Sequence, residues 1–273
     1  MKSPVANRAG RGAREEERDP PSWRIETAHL RQPPDFIIIG TQRGGTTSLY
    51  RYLTEHPEIG AAFRKEVHFF DRYYEKGLAW YLAHFPERGE YPVVGEASPY
   101  YLFHPEAPER IRAAAPRARF IALLRNPVDR AYSQYHMKVA RGLEPLPFAE
   151  AIECEPERLA ASDDPLGPAW RHHSYLARGR YVDQFQRWFE VFPREQVLVL
   201  QSEDFYDEPE AILHQTQAFL GLRPHTPASF KVYHEADYPP LDTGTRQRLQ
   251  EYFAPYNRQL CDLLCRDFGW ERS

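Results

Sequence analysis

The segment Gly40-Thr41-Gln42-Arg43-Gly44-Gly45-Thr46-Thr47-Ser48 combines residues without side chains, hydroxyls and one cation in an order suited to holding an anion. Glycines let backbone N–H groups converge, and a helix beginning at Thr46 would add the partial positive charge of its N-terminus. The nucleoside-triphosphate loop has the spacing G-x-x-x-x-G-K-[ST]. Gly40 and Gly45 keep that spacing, but Thr46 stands at the lysine position and the cation has moved to Arg43. A triphosphatase also needs an acid at the end of a second buried strand to hold magnesium. Here the apolar run from Arg119 to Leu124 ends in Arg125, which attracts a second anion instead. Further along, Ser133 would present a hydroxyl from a helix; a guanidinium and a hydroxyl together make a fork for a phosphate monoester. A third group lies in Lys65-Glu66-Val67-His68-Phe69-Phe70-Asp71. Glu66 and His68 are two apart, so an extended stretch would turn both to one face, where one can be a general base and the other can orient it or the substrate.

These groups need a frame. Asp35-Phe36-Ile37-Ile38-Ile39-Gly40 is a β-branched and aromatic run ending on glycine, the pattern of a strand buried on both faces. Thr46 to His56 reads as a helix stopped by Pro57. Further strand-like runs are Pro92–Gly95, Arg119–Leu124 and Gln196–Leu200, with helical patterns between them. The alternation predicts an α/β fold, a P-loop-like three-layer arrangement with a central parallel sheet flanked by helices. Asn126-Pro127 supplies a cap and a first-turn proline for a helix running to about Arg141 and stopped by Gly142. Tyr181, Val182, Phe185, Trp188, Phe189 and Phe192 recur at helical spacing, and helices are expected near 208–220 and 243–268. Residues 142–178 read as loop or short helix over the sheet. Residues 1–34 show no hydrophobic period and are expected to be a disordered tail, leaving 35–273 as a single domain.

Composition limits the function classes. The 273 residues are 42% hydrophobic and 14% aromatic, enough for a substantial core. The formal charge of −4 argues against nucleic acid as partner, since proteins that grip phosphate backbones carry a basic excess. No run of about 18 apolar residues exists to span a membrane, and the N-terminus lacks the apolar core of a secretory signal, so a cytoplasmic protein is expected. Cys154, Cys261 and Cys265 form no metal pattern and are expected to be reduced core thiols; no metal site is expected.

The three motifs together resemble the sulfotransferases that use 3′-phosphoadenosine 5′-phosphosulfate (PAPS), in particular the branch of the heparan sulfate 3-O-sulfotransferases and the N-sulfotransferase domains. The likeness runs from Gly40–Leu49 through Glu66–Asp71, Gly95–Tyr101, Arg125–Ser133, Gly179-Arg180-Tyr181 and Phe219–Leu222 to Trp270, covering roughly residues 35–270. The resemblance implies PAPS as donor, with no metal. It implies that Arg43, in place of the usual lysine, contacts the 5′-phosphate and bridging oxygen, and that Gly44, Gly45, Thr46, Thr47 and Ser48 give further donors. It also implies that Arg125 and Ser133 hold the 3′-phosphate, that Glu66 is the base and that His68 is its neighbour in the acceptor site. Two departures point away from heparan sulfate: Ala97 aligns with an active-site lysine, and a cysteine-flanked loop is missing between Lys231 and Leu241. The expected acceptor is a hydroxyl, or an amine, of a carbohydrate, glycolipid or small molecule. Arg171, His172, His173, Arg178 and Arg180 are candidates for a basic rim, and Tyr100, Tyr101 and Trp170 for stacking on sugar rings. The competing readings are a metal-dependent kinase or triphosphatase and a nucleotide or glycan binder without catalysis.

Overall fold

The computed structural model describes residues 19–271 except 163, 165, 166, 232 and 234–237. Five parallel strands, β1 (Phe36–Gly40), β2 (Ile59–Ala61), β3 (Val93–Ala97), β4 (Arg119–Leu124) and β5 (Val197–Gln201), form one sheet in the order β2-β3-β1-β4-β5. A parallel sheet needs crossover helices, and these cover both of its faces. Alternate residues of the central strands feed two cores. Ile37 and Ile39 of β1 and Phe120, Ala122 and Leu124 of β4 join Phe185 and Trp188 on one face. Phe36, Ile38, Ile121 and Leu123 join Leu49, Leu53, Phe205 and Leu213 on the other. The strand registers, such as Ile38 beside Ala97 and beside Ile121, level the carboxyl ends of β3, β1 and β4.

The expected α/β architecture is present, with helices at Thr46–Thr54, Pro127–Ala140, Tyr181–Val191, Pro209–Leu220 and Thr243–Leu264. Asn126 caps its helix, its side-chain oxygen accepting from the Val128 N–H at 3.0 Å. Residues 142–178 hold three short helices, Phe148–Glu153, Glu155–Ala160 and Pro168–His173. The cysteines are free: Cys261 is half-buried against the core and Cys154 half-buried, whereas Cys265 is exposed and so is not the core thiol expected.

Order begins before Asp35. Residues 1–18 of the expected tail lie outside the described residues, but Ser22–Glu26 is helical and the chain from Asp19 to Arg31 is pinned to the body. The Arg24 guanidinium donates to the carbonyls of Ala83 (2.7 Å) and Phe85 (2.6 Å), and buried Arg31 donates to Phe85 (2.9 Å). Asp19 accepts from Lys76 and from the Trp80 indole. Arginine on carbonyls, rather than an apolar stripe, holds this segment, so a search for hydrophobic period passes over it.

Candidate active site

The segments following all five strands line one cavity of about 670 Å³ at the carboxyl edge of the sheet. Gln42 to Thr47 follow β1, Glu66 follows β2, Pro99 follows β3, Arg125 follows β4, and Ser202 to Asp207 follow β5. This is where open parallel sheets bind ligands, because the connections splay apart there and helix N-termini face in. The volume is within the range of small-molecule sites.

The β1 loop presses against the end of β4. The Thr41 N–H donates to the Leu123 carbonyl at 2.9 Å, and a Cβ on Gly44 would stand 2.3 Å from that same oxygen. Gly45 adopts φ 94°, a left-handed conformation that glycine reaches without strain. No side chain caps the helix that starts at Thr46, so its first N–H groups remain for a ligand at the cavity wall formed by Gly45, Thr46 and Thr47. Arg43 Nε donates to Ser133 Oγ at 2.9 Å, and Arg125 Nη1 donates to the Arg43 carbonyl at 3.3 Å. The two anion-binding groups read separately in the sequence are thus one continuous wall. Ser133, Met137 and Arg141 reach it from successive turns of the Pro127–Ala140 helix and the residue after it.

Glu66 also borders the cavity. It and His68 do converge, with Nε2 3.5 Å from Glu66 Oε2, but not as neighbours on an extended stretch. Glu66 (φ 61°) and His68 (φ 56°) are both left-handed, and the Glu66 N–H is tied to the Ala97 carbonyl while the His68 N–H is tied to Ser98 Oγ. His68 Nδ1 is 3.0 Å from Asp71, and Lys65 Nζ donates to Glu66 at 2.9 Å. Burial opposes charge on the imidazole, but the Asp71 carboxylate and then Glu66 override it and push His68 up to about 9. Burial would likewise raise Glu66, yet the His68 hydrogen bond and the Lys65 charge hold its carboxyl well below the usual range. Beneath them the fully buried Glu96 accepts from Ser98 (2.7 Å) and Tyr81 (2.8 Å), and burial pushes it up to about 7.

The model of the sulfotransferase domain family matches residues 33–235. The chain belongs to the sulfotransferase family. Human heparan sulfate glucosamine 3-O-sulfotransferase 6 is 32% identical over 264 residues, covering 88% of this chain and 74% of its own length. The membrane-associated sulfotransferase kil1 of Dictyostelium discoideum is 28% identical, covering 87% and 66%. The crystal structure of a sulfotransferase from Alicyclobacillus acidocaldarius superposes with a TM-score of 0.73 at 33% identity, over 88% of this chain and 99% of that one.

In this sulfotransferase, Arg43, Gly45, Thr46, Thr47, Glu66, Arg125 and Ser133 line the cavity. Ser48 does not. It is fully buried, and its Oγ accepts from the Tyr233 N–H, because the helical rotation of about 100° per residue turns it from the face that Thr47 occupies. Gly44 contributes shape, and its carbonyl accepts from Ser202. His68 does not line the cavity; it stands 3.5 Å from Glu66. Of the expected basic rim, Arg178 is buried over Tyr100 and donates to Gln42 and Ser174, His172 meets Lys138, His173 meets Glu144, and Arg180 meets Asp183. Tyr101 is core, its hydroxyl shared between Glu96 and the Phe69 N–H. The sequence reading missed Glu203, Tyr206, Asp207 and Arg141; the signal for Arg141 was its spacing of eight from Ser133, two helical turns on.

Proposed function

We propose that this sulfotransferase moves the sulfuryl group of PAPS to a carbohydrate hydroxyl, with Glu66 as general base. The observation that carries the reading is that Arg43 donates to Ser133 while its carbonyl accepts from Arg125, which joins an uncapped helix N-terminus to both in one cavity. That wall fits a ligand with two anionic groups on one adenosine: Gly45, Thr46, Thr47 and Arg43 would hold the 5′ end, and Arg125 and Ser133 the 3′-phosphate. PAPS supplies an activated sulfur whose bond to the 5′-phosphate oxygen breaks as the acceptor oxygen bonds to it. Arg43 and the loop N–H groups are placed to take up the charge that collects on the departing oxygen. A sulfuryl group carries one negative charge where a phosphoryl carries two, so one guanidinium and backbone donors can balance it.

Glu66 suits the base role better than His68. Below about pH 9 His68 is an imidazolium with no free lone pair, whereas Glu66 is ionised. An acceptor hydroxyl that displaces Lys65 from Glu66 would remove a contact holding its basicity down and give its own proton to the carboxylate. The carbohydrate acceptor rests on the 3-O-sulfotransferase relatives.

Two measurements test this. Calorimetry should show adenosine 3′,5′-bisphosphate (PAP) binding much more tightly than AMP; equal affinities would remove the reading. With radiolabelled PAPS and a panel of glycans, Glu66→Gln should lower kcat by about 10²–10⁴-fold while leaving PAP affinity within about twofold. Unchanged turnover would take Glu66 out of the base role.

A further inference from the structure

The turn that carries Glu66 hands its backbone N–H groups to receivers at and just past the end of β3. The Glu66 N–H goes to the Ala97 carbonyl at 3.0 Å, the His68 N–H to Ser98 Oγ at 3.2 Å, and the Phe69 and Phe70 N–H groups to the Tyr101 hydroxyl at 2.9 and 3.4 Å. Two of these receivers are hydroxyls, and both direct their own proton to one carboxylate. Ser98 donates to Glu96 Oε2 at 2.7 Å and Tyr101 to Oε1 at 3.3 Å. Glu96 is fully buried, does not line the cavity, and takes a third hydroxyl proton from Tyr81 at 2.8 Å.

A hydroxyl has one proton and two lone pairs. With the proton fixed on Glu96, the lone pairs are left for the turn, so the carboxylate decides how both receivers point. The turn needs that hold. Glu66 (φ 61°) and His68 (φ 56°) are left-handed without being glycine, a conformation that persists where the surroundings over-determine it. An ionised carboxylate only accepts, so it can serve all three hydroxyls at once. Protonated, or replaced by an amide, it presents a donor to one of them, and that hydroxyl must swing its own proton away.

Resting on the assignment of Glu66 as base, we infer that Glu96 is a positioning residue for sulfuryl transfer: its ionised carboxylate, acting through the Ser98 and Tyr101 hydroxyls, fixes the turn that holds Glu66 at the cavity and beside His68. The groups facing Glu96 are Tyr81 from the Gly77–Leu82 helix, Tyr50 from the Thr46–Thr54 helix, Ser98 and Tyr101 beyond β3, and His68 and Asp71 of the turn and the short helix after it. Burial pushes the Glu96 carboxyl up to about 7 and Asp71 adds to the rise, against the Ser98 and Tyr81 hydrogen bonds and the His68 charge. The hold is therefore complete above that pH and is lost as pH falls through it.

Hydrogen exchange and kinetics test this together. Glu96→Gln should speed amide exchange at His68 and Phe69, and Ser98→Ala at His68, about tenfold or more, with Ile37 to Ile39 of β1 unchanged. In transfer from radiolabelled PAPS to the glycan of the panel that the wild type uses best, wild-type kcat should fall as pH is lowered through about 7. Glu96→Gln should show a kcat roughly 10–100-fold lower at about pH 8.5 and no such fall, with acceptor KM within about threefold and PAP affinity within about twofold. Tyr81→Phe keeps the ring but takes one donor from the carboxylate. Its kcat at about pH 8.5 should lie within about threefold of wild type, with the fall moved to higher pH. A buried group that served stability alone would leave that fall where it is. Unchanged His68 and Phe69 exchange in Glu96→Gln, a kcat profile in that variant parallel to the wild type, or an unmoved profile in Tyr81→Phe overturns the positioning role while leaving Glu66 as base. Wild-type turnover in Glu66→Gln overturns the base and this role with it.

Discussion

At Glu66 and His68 the protein keeps two opposite charges within hydrogen-bonding reach, and each sets the other's ionisation. Asp71 completes the set by holding the imidazole from its second nitrogen. The raised His68 pKa has a consequence for stability. A group whose pKa rises from 6.5 to about 9 on folding stabilises the folded state fully below about pH 6.5 and ceases to do so as pH climbs through 9. The shift corresponds to ~3 kcal/mol. Lys138, which burial pushes down to about 7, works the opposite way over the same range, so wild-type stability alone would mix the two. The difference between wild type and His68→Gln separates them. Urea unfolding at pH 6, 7.5 and 9.5 should show the variant least stable relative to wild type at pH 6, with the gap closing by pH 9.5. A gap independent of pH would mean that folding does not raise the His68 pKa.

The β1 loop is positioned by packing on β4, not by its own chemistry alone. Adding one methyl at Gly44 would drive it into the Leu123 carbonyl, and only movement of the loop relieves that contact. Gly44→Ala should cost about 1–3 kcal/mol in urea unfolding and weaken PAP binding at least tenfold in calorimetry. Wild-type affinity in that variant would show that the loop tolerates displacement. The strands and long helices were legible because apolar runs and periodic faces mark them directly, as in Phe36–Ile39 and in Tyr181 to Trp188. The cavity wall of Arg43, Gly45, Arg125 and Ser133 was legible because glycine, arginine and hydroxyl residues have few other reasons to fall in that order. What escaped was set by tertiary pairing: the left-handed turns at Glu66 and His68, the arginine clamps of residues 24 and 31, and Arg178, whose charge looked like a surface rim and is instead a buried strut. None of these leaves a period or a motif.

Because the connections after five strands meet at one cavity, a ligand there ties together parts of the chain that are otherwise joined mainly through the sheet. Arg43, Thr46 and Thr47 belong to the layer over Leu49 and Leu53, whereas Arg125 and Ser133 belong to the β4 end and the helix that packs on Phe148, Tyr175 and Phe253. A nucleotide with a phosphate at each end would bridge the two, and its binding energy would add to the stability of the whole domain. At a concentration of 100 times Kd, binding to the folded state alone contributes about 2.7 kcal/mol. For a chain of this size that is a rise in Tm of roughly 5–10 °C. PAP should produce this shift as one sharpened transition, and AMP at the same concentration a much smaller one. Arg125→Ala should lose most of the extra shift given by the 3′-phosphate while unfolding near the wild-type temperature without ligand. If Arg125→Ala kept the full PAP shift, the 3′-phosphate would lie elsewhere, and the second half of the anion wall would have to be assigned to a different group.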